Sequence, residues 1–128
     1  MHPNSAISQY QQIDLEAKVA SANPRKLVSL LFNRAGVRLA AAHAAMARLD
    51  IGTRTNELNG VIEILAALNA ALDISNGGQL AQNLRDLYTY MELQIVQANR
   101  HSDPALVEEV QRLLGDLQSA WDAMPLVE

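Results

Sequence analysis

The sequence contains no cysteine, only 4% aromatic residues and only 19% charged residues. Without cysteine there is no disulfide framework, no thiolate zinc site and no cysteine nucleophile. The longest apolar runs, such as residues 61–67 with Glu63 inside, are far shorter than the roughly 20 residues that cross a bilayer. The first four residues, Met-His-Pro-Asn, lack the basic and apolar regions of a signal peptide. These shortages favour a soluble cytoplasmic protein without direct membrane insertion.

Charge and length narrow the class further. The 128 residues carry a net charge of -4 and the arginines are scattered, so the basic footprint of a nucleic-acid-binding protein is missing. One domain with one core is expected at this length. Hydrophobic residues make up 49% of the chain, whereas the charged fraction is below the roughly 25% typical of soluble domains. The composition therefore predicts some apolar surface without polar cover.

Local signals place the ends of helices. Asn23-Pro24 and Asp103-Pro104 each combine a capping side chain with proline at the first helical position. The helical pattern is interrupted at residues 51–53 and 75–78. In the second interruption the glycine pair Gly77-Gly78 favours a helix end. Apolar periodicity predicts helices at 24–50, 54–74, 79–101 and 104–123, with a shorter one near 6–20.

Short connections make consecutive helices antiparallel, which predicts an all-α fold, an antiparallel up-down-up-down four-helix bundle with a short additional N-terminal helix. The bundle is expected to span residues 23–124, between a mobile N-terminal segment at 1–22 and a tail at 125–128. Steps of about 100° per residue assign one apolar sector of each helix to the core. These sectors include Phe32, Leu39, Met46, Leu49, Leu58, Leu65, Leu68, Leu80, Tyr88, Met91, Ile95, Val107, Val110, Leu114, Trp121 and Met124.

Three helices carry a second apolar set outside the core sector. It comprises Leu30, Val37, Ala41 and Ala44 on the first, Gly60, Ile64, Ala67 and Ala71 on the second, and Tyr90, Leu93 and Val96 on the third. The fourth helix instead has polar residues there, including Glu108 and Glu109. Surplus stripes are covered by another segment of the chain, by a partner or by a second copy. The simpler alternative is ordinary surface exposure, since alanine favours helices and single exposed leucines are common.

The N-terminal segment offers one possible cover, because Ile7, Tyr10, Ile13 and Ala17 recur at helical spacing. A cover of this kind could be displaced by a partner.

Catalytic and metal-binding patterns are not found. The histidines, His2, His43 and His101, have no second ligand at helical spacing, so no metal site, catalytic residue or cofactor is predicted. A phosphotransfer histidine at His43 is a minor alternative, because the position three residues on is Met46 where the phosphotransfer domains have a lysine. A half-exposed helix histidine is the simpler interpretation.

The pattern of residues resembles the flagellin-specific secretion chaperones, the FliS family. The likeness runs from Tyr10 and the Ala22-Asn23-Pro24 motif to Trp121, and its most specific part is the stretch GGQLAQNLRDLYTYM at 77–91. Residues 33–34 and 74–76 depart from the more acidic family pattern. Neither departure is expected to alter the fold, although either could alter client preference.

The resemblance implies a non-enzymatic cytoplasmic chaperone that binds the disordered C-terminal segment of flagellin. Such a protein prevents premature polymerisation and assists delivery to the flagellar type III export gate, whose cytoplasmic domain is a second expected partner. Tyr10 matches the family's N-terminal tyrosine, and Ile7 lies beside it. The remaining expected partner-binding residues come from the helix faces: Leu30, Val37, Ile64, Ala67, Ala71, Tyr90, Leu93 and Val96. The alternative is a homo-oligomeric adaptor bundle without a flagellin client, and a client-free homodimer is a further expectation.

Overall fold

The computed structural model describes residues 23–72 and 74–124, with the backbone alone at positions 74 and 75. Its elements are α1 (Pro24–Ala47), α2 (Ile51–Ala70), α3 (Ile74–His101) and α4 (Pro104–Ala123). No strand occurs within these residues. The predicted helix near 6–20, with Ile7 and Tyr10, and the tail at 125–128 lie outside them. The all-α prediction is confirmed.

The starts of α1 and α4 follow the predicted capping signals. The Asn23 side chain accepts a hydrogen bond from the backbone N–H of Lys26, and Asp103 accepts one from Ala105. Proline follows each cap and has no N–H that needs a partner at this position. Local capping chemistry thus suffices to locate both starts.

The start of α2 was predicted wrongly at residue 54. Asp50 is the N-cap, and its carboxylate accepts hydrogen bonds from the backbone N–H of Thr53 at 3.1 Å and from Thr53 Oγ1 at 2.7 Å. These bonds lower the pKa of Asp50. The true break covers residues 48–50, where Leu49 has φ 59°. Residues 51–53, predicted as an interruption, form the first helical turn.

The predicted interruption at 75–78 is centred on Gly78. This residue has φ 58° and ψ -137°, a conformation open to glycine and strained for residues with a Cβ atom. Four helical residues precede the break, so α3 begins earlier than the predicted residue 79.

Each helix packs against two neighbours. α1 contacts α2 and α4, and α3 contacts the same two helices from the opposite corner. Arg54 near the start of α2 donates to Asn99 near the end of α3 at 3.0 Å, and His43 late in α1 lies 3.0 Å from Glu108 early in α4. These pairs show antiparallel neighbours, which confirms the up-down-up-down bundle.

The core is apolar throughout. Within the described residues no polar or charged residue is classed as buried, and fully buried side chains include Leu39, Leu58, Leu65, Met91 and Ile95. Three predicted core residues are exposed instead: Leu49, Leu80 and Met124. All three lie at helix ends, where fewer neighbouring residues remain to cover them. Gly60, predicted in the second apolar set, is buried.

Candidate functional site

The expected partner-binding residues that the structure describes fall into two separate groups. The α1–α2 face comprises Leu30 and Val37 on α1 with Ile64, Ala67 and Ala71 on α2, and the α3 face comprises Tyr90, Leu93 and Val96. Exposure reaches 69% for Val37, 56% for Leu93 and 47% for Val96. All eight of these residues were predicted from the sequence to bind a partner.

The two faces do not form one groove. Helices α1 and α3 occupy diagonal corners and do not pack against each other in the described part of the chain. Val37 therefore points away from one corner of the bundle while Leu93 points away from the opposite corner. A partner that contacts every nominated residue must wrap around the bundle.

Arg38 lies on the seam of the α1–α2 face, the line along which α1 and α2 pack against each other. Its guanidinium lies 3.4 Å from Glu57 on α2, and its side chain crosses Gly60 so closely that a Cβ atom there would lie 2.5 Å from Arg38 Nη1. Residues 57, 60, 64, 67 and 71 recur at helical spacing, so Ile64, Ala67 and Ala71 continue the same side of α2. The seam thus combines a fixed basic side chain with a shallow apolar surface.

Ile64 has a role in stability as well as on the surface. It is half-buried and packs against the hydrophobic core. Leu30 is also half-buried. The expected separation between core residues and partner-binding residues is therefore incomplete on this face, because helix positions beside an interhelical seam are shared by both surfaces.

The α3 face is bounded by a hydrogen-bond network that the sequence did not reveal. Glu109 Oε1 on α4 accepts hydrogen bonds from Tyr90 Oη at 2.8 Å and from Gln94 Nε2 at 2.9 Å. The bond to Glu109 raises the pKa of Tyr90, and the bonds from Gln94 and Tyr90 lower the pKa of Glu109. Glu109 was expected on the polar far side of α4, but it lies half-buried beside α3. The network holds the Tyr90 ring against α4.

An apolar cavity of about 390 Å³ opens at the end of the bundle where α1 begins and α4 ends. All four helices line this end pocket, with Val28, Phe32, Leu68, Leu84, Tyr88 and Trp121 among its walls. Of the nominated residues within the described part of the chain, Ala71 alone lines the pocket. The pocket was missed because Leu80 and Met124, which also line it, were predicted as buried core. The sequence signal that could have indicated the pocket is the position of these large apolar residues at helix ends.

Trp121 is held at the wall of the end pocket by α1. Its Nε1 donates to Ser29 Oγ at 3.1 Å, and the Arg25 guanidinium carbon lies 5.7 Å from the centre of its ring. Arg25 also donates to the carbonyl oxygens of Trp121 and Met124 at the end of α4. The predicted packing of Trp121 against the core is found, and its ring is also partly accessible.

Possible metal ligands and membrane-spanning helices were both sought in residues 23–72 and 74–124. No three histidine or acidic residues come together there as metal ligands. None of its helices is long and apolar enough to cross a membrane. His43, the minor phosphotransfer alternative, lies next to the Glu108 carboxylate on the bundle surface.

Comparison with known proteins gives one consistent result. A family model described as flagellar protein FliS matches residues 6–127. The chain is 41% identical over 124 residues to the flagellar secretion chaperone FliSB of Pseudomonas aeruginosa, covering 97% of this chain and 98% of that protein. It is 36% identical to the flagellar secretion chaperone FliS of Salmonella typhimurium, covering 94% and 90% of the two chains. The corresponding protein of Vibrio cholerae is 32% identical, covering 94% and 88%. The chain belongs to the FliS family of flagellar proteins.

Proposed function

We propose that this protein is a cytoplasmic flagellar export chaperone that binds the disordered C-terminal segment of flagellin. It keeps the subunit from polymerising before export and assists its delivery to the flagellar type III export apparatus, without catalysis. Family membership and the names of the relatives support the chaperone role. The observation that carries the client interaction is the presence of two exposed apolar faces and an open end pocket on an otherwise well-packed bundle.

The energetics favour a client that engages several of these surfaces together. Full burial of a Val, Leu or Phe side chain contributes about 1.5–3 kcal/mol, so half-exposed residues contribute roughly 1 kcal/mol each. Ordering a disordered segment costs about 2–5 kcal/mol. The three residues of the α3 face alone would only offset that cost. A wrapped client that also covers the α1–α2 face and the end pocket gains a net affinity.

The N-terminal segment completes the proposed mechanism. Ile7 and Tyr10 are proposed to take part in partner binding. The flagellar export gate is proposed as a second partner of the chaperone, besides flagellin. α1 begins beside the end pocket, since Val28 and Trp121 line it and Arg25 contacts the end of α4. The proposal is that this apolar cavity takes up apolar residues of the N-terminal segment or of a client.

Binding can be measured without a label. Trp121 is the single tryptophan of the chain and lines the end pocket, so its fluorescence reports the occupation of that pocket. We expect a flagellin C-terminal peptide to bind with a measurable heat and to shift the Trp121 emission to shorter wavelength. Absence of both heat and complex at tens of micromolar protein would refute the proposed client.

Surface variants locate the interaction. Leu93→Asp and Val37→Asp should weaken peptide binding while the thermal transition stays nearly unchanged, because both side chains are largely exposed. Ser119→Asp, on the exposed side of α4, is the matched control and should bind like the wild type. A concentration-dependent dimer with no affinity for flagellin would instead support the homo-oligomeric adaptor.

A further inference from the structure

The end pocket has the size and the walls of a small-molecule site. Its volume of about 390 Å³ lies within the usual range of such sites, about 300–1,000 Å³. An apolar cavity of roughly 150 Å³ already admits benzene, so by proportion the end pocket has room for a molecule of about 12–16 heavy atoms. Of the side chains that line it in the described part of the chain, only those of Tyr88 and Trp121 carry a nitrogen or oxygen atom.

Tyr88 brings one unpaired polar group to this pocket. Its side chain is only 4% exposed, and burial among apolar neighbours raises the pKa of its hydroxyl, which stays protonated at neutral pH. Within residues 23–72 and 74–124 this hydroxyl makes no hydrogen bond. Asn69 Oδ1 is the only side-chain oxygen or nitrogen in those residues that is both fully enclosed and unpaired. The Tyr88 hydroxyl must therefore reach open space, and the end pocket is the space that Tyr88 lines.

The other polar side chain of the pocket already has its partners. Trp121 Nε1 donates to Ser29 Oγ at 3.1 Å, and the Arg25 guanidinium lies over the indole ring. Because these contacts with α1 fix the indole at the pocket wall, little ordering is needed when a ligand binds. Among the described side chains that line the pocket, the Tyr88 hydroxyl is consequently the group left to hydrogen-bond a ligand.

The chemistry of the walls defines the ligand. A hydrocarbon or an aliphatic side chain that filled the pocket would cut the Tyr88 hydroxyl off from water without pairing it, and a buried donor left unpaired costs about 1–3 kcal/mol. A ligand with an acceptor oxygen beside its apolar body restores the hydrogen bond. No cationic side chain is among the described lining residues, so a neutral oxygen suits the pocket better than a carboxylate, whose charge would be buried unpaired.

We propose that the end pocket binds a neutral, mostly apolar small molecule of about 12–16 heavy atoms whose acceptor oxygen takes a hydrogen bond from the Tyr88 hydroxyl. Apolar burial supplies most of the affinity, and the hydrogen bond selects an oxygenated ligand over the plain hydrocarbon. The inference goes beyond the proposed binding of flagellin and does not depend on it.

The test uses benzophenone and its methylene analogue α-phenylstyrene, which have the same number of heavy atoms and differ only in C=O against C=CH₂. Trp121 is the single tryptophan, so its indole N–H gives one signal in a heteronuclear NMR titration of the full chain. Benzophenone should shift this signal saturably and bind Tyr88→Phe about three- to tenfold more weakly than the wild type. The affinity for α-phenylstyrene, which cannot accept the hydrogen bond, should change by no more than about twofold.

Two further variants control the site. Thr89→Val removes a hydroxyl from an exposed position on the same helix, and it should leave the affinities for both probes unchanged. Ala120 lines the pocket and is exposed to solvent, so Ala120→Phe should narrow the pocket without disturbing the core and weaken the binding of both probes.

Three results would each overturn the inference. If neither probe shifts the Trp121 signal up to its solubility limit, the pocket of the full chain does not admit a small molecule. If Tyr88→Phe changes the affinities for the two probes equally, or changes neither, the hydroxyl does not select the ligand. If Ala120→Phe leaves both affinities unchanged, the probes bind elsewhere. None of these results bears on flagellin, whose binding calorimetry measures separately.

Discussion

Gly60→Ala measures how closely the Arg38 side chain lies against α2. A Cβ atom at position 60 would lie 2.5 Å from Nη1, 2.6 Å from Cζ and 2.7 Å from Cδ of Arg38, distances that real Cβ contacts essentially never show. The Arg38 side chain must therefore move off α2. We expect this movement to break its 3.4 Å ion pair with Glu57.

Two opposing contributions determine the change in stability. Alanine in place of glycine inside a helix contributes roughly 0.5–1 kcal/mol. Loss of a partly exposed ion pair costs about 0.2–1 kcal/mol, and the Arg38 stem loses its packing as well. The net change in the wild type should thus stay within about 0.5 kcal/mol. In an Arg38→Ala background only the helix contribution remains, so Gly60→Ala should stabilise by about 0.5–1 kcal/mol.

The double-mutant cycle is completed by urea unfolding of the four proteins, followed by circular dichroism. Gly115→Ala is the matched control, because Gly115 is an exposed helical glycine on α4 and its Cβ position has no neighbour within 4 Å. It should stabilise the protein by the full helix contribution with or without Arg38. If Gly60→Ala gains as much as Gly115→Ala in the wild type, Arg38 does not lie over Gly60.

Three further predictions test the division between core, caps and surface. Leu65 is fully buried, so Leu65→Ala should lower the free energy of unfolding, measured in urea, by about 2–5 kcal/mol. Leu93 is exposed, so Leu93→Ala should change it by no more than about 0.5 kcal/mol. Equal losses would contradict the assignment of Leu93 to the surface. Hydrogen bonds from Thr53 lower the pKa of Asp50, so its stabilising contribution is present above the unfolded pKa and is lost as pH falls through the folded value. The difference in melting temperature between wild type and Asp50→Ala should therefore shrink in acid, and a difference that is independent of pH would contradict the capping role. Leu49 has φ 59° and is 84% exposed. Because asparagine adopts positive φ more readily than leucine, Leu49→Asn should raise the free energy of unfolding by up to about 1 kcal/mol in chemical unfolding. A loss would show that Leu49 makes a stabilising contact.

The two faces and the end pocket also bear on how a client could affect the bundle. Ile64 contributes to both the core and the α1–α2 face, and the end pocket is walled by Trp121 and by core residues such as Phe32. A ligand that binds only the folded bundle stabilises it by mass action. A bound client should consequently raise the unfolding temperature as well as cover the exposed apolar residues.

Helix positions were predictable where a local signal was sufficient. The pairs Asn23-Pro24 and Asp103-Pro104 located two helix starts, and Gly78 located the break in α3. The predicted start of α2 is wrong because Gly52 suggests an interruption at 51–53, whereas the Asp50 side chain caps a helix that begins at Ile51. Its bond to the backbone of Thr53 offsets the cost of a glycine in the first turn.

The sequence by itself determined the four helices, their antiparallel order and the apolar stripes, including eight surface residues that the structure places outside the fully buried core. These features depend on periodicity and capping, which act within a few residues along the chain. Only the tertiary structure decided that the stripes form two faces on diagonal corners, that Arg38 crosses Gly60, that Glu109 holds Tyr90, and that an end pocket is open. Periodicity gives the direction of a side chain around its own helix axis, whereas burial and contact depend on which neighbouring helix lies in that direction and how far it extends.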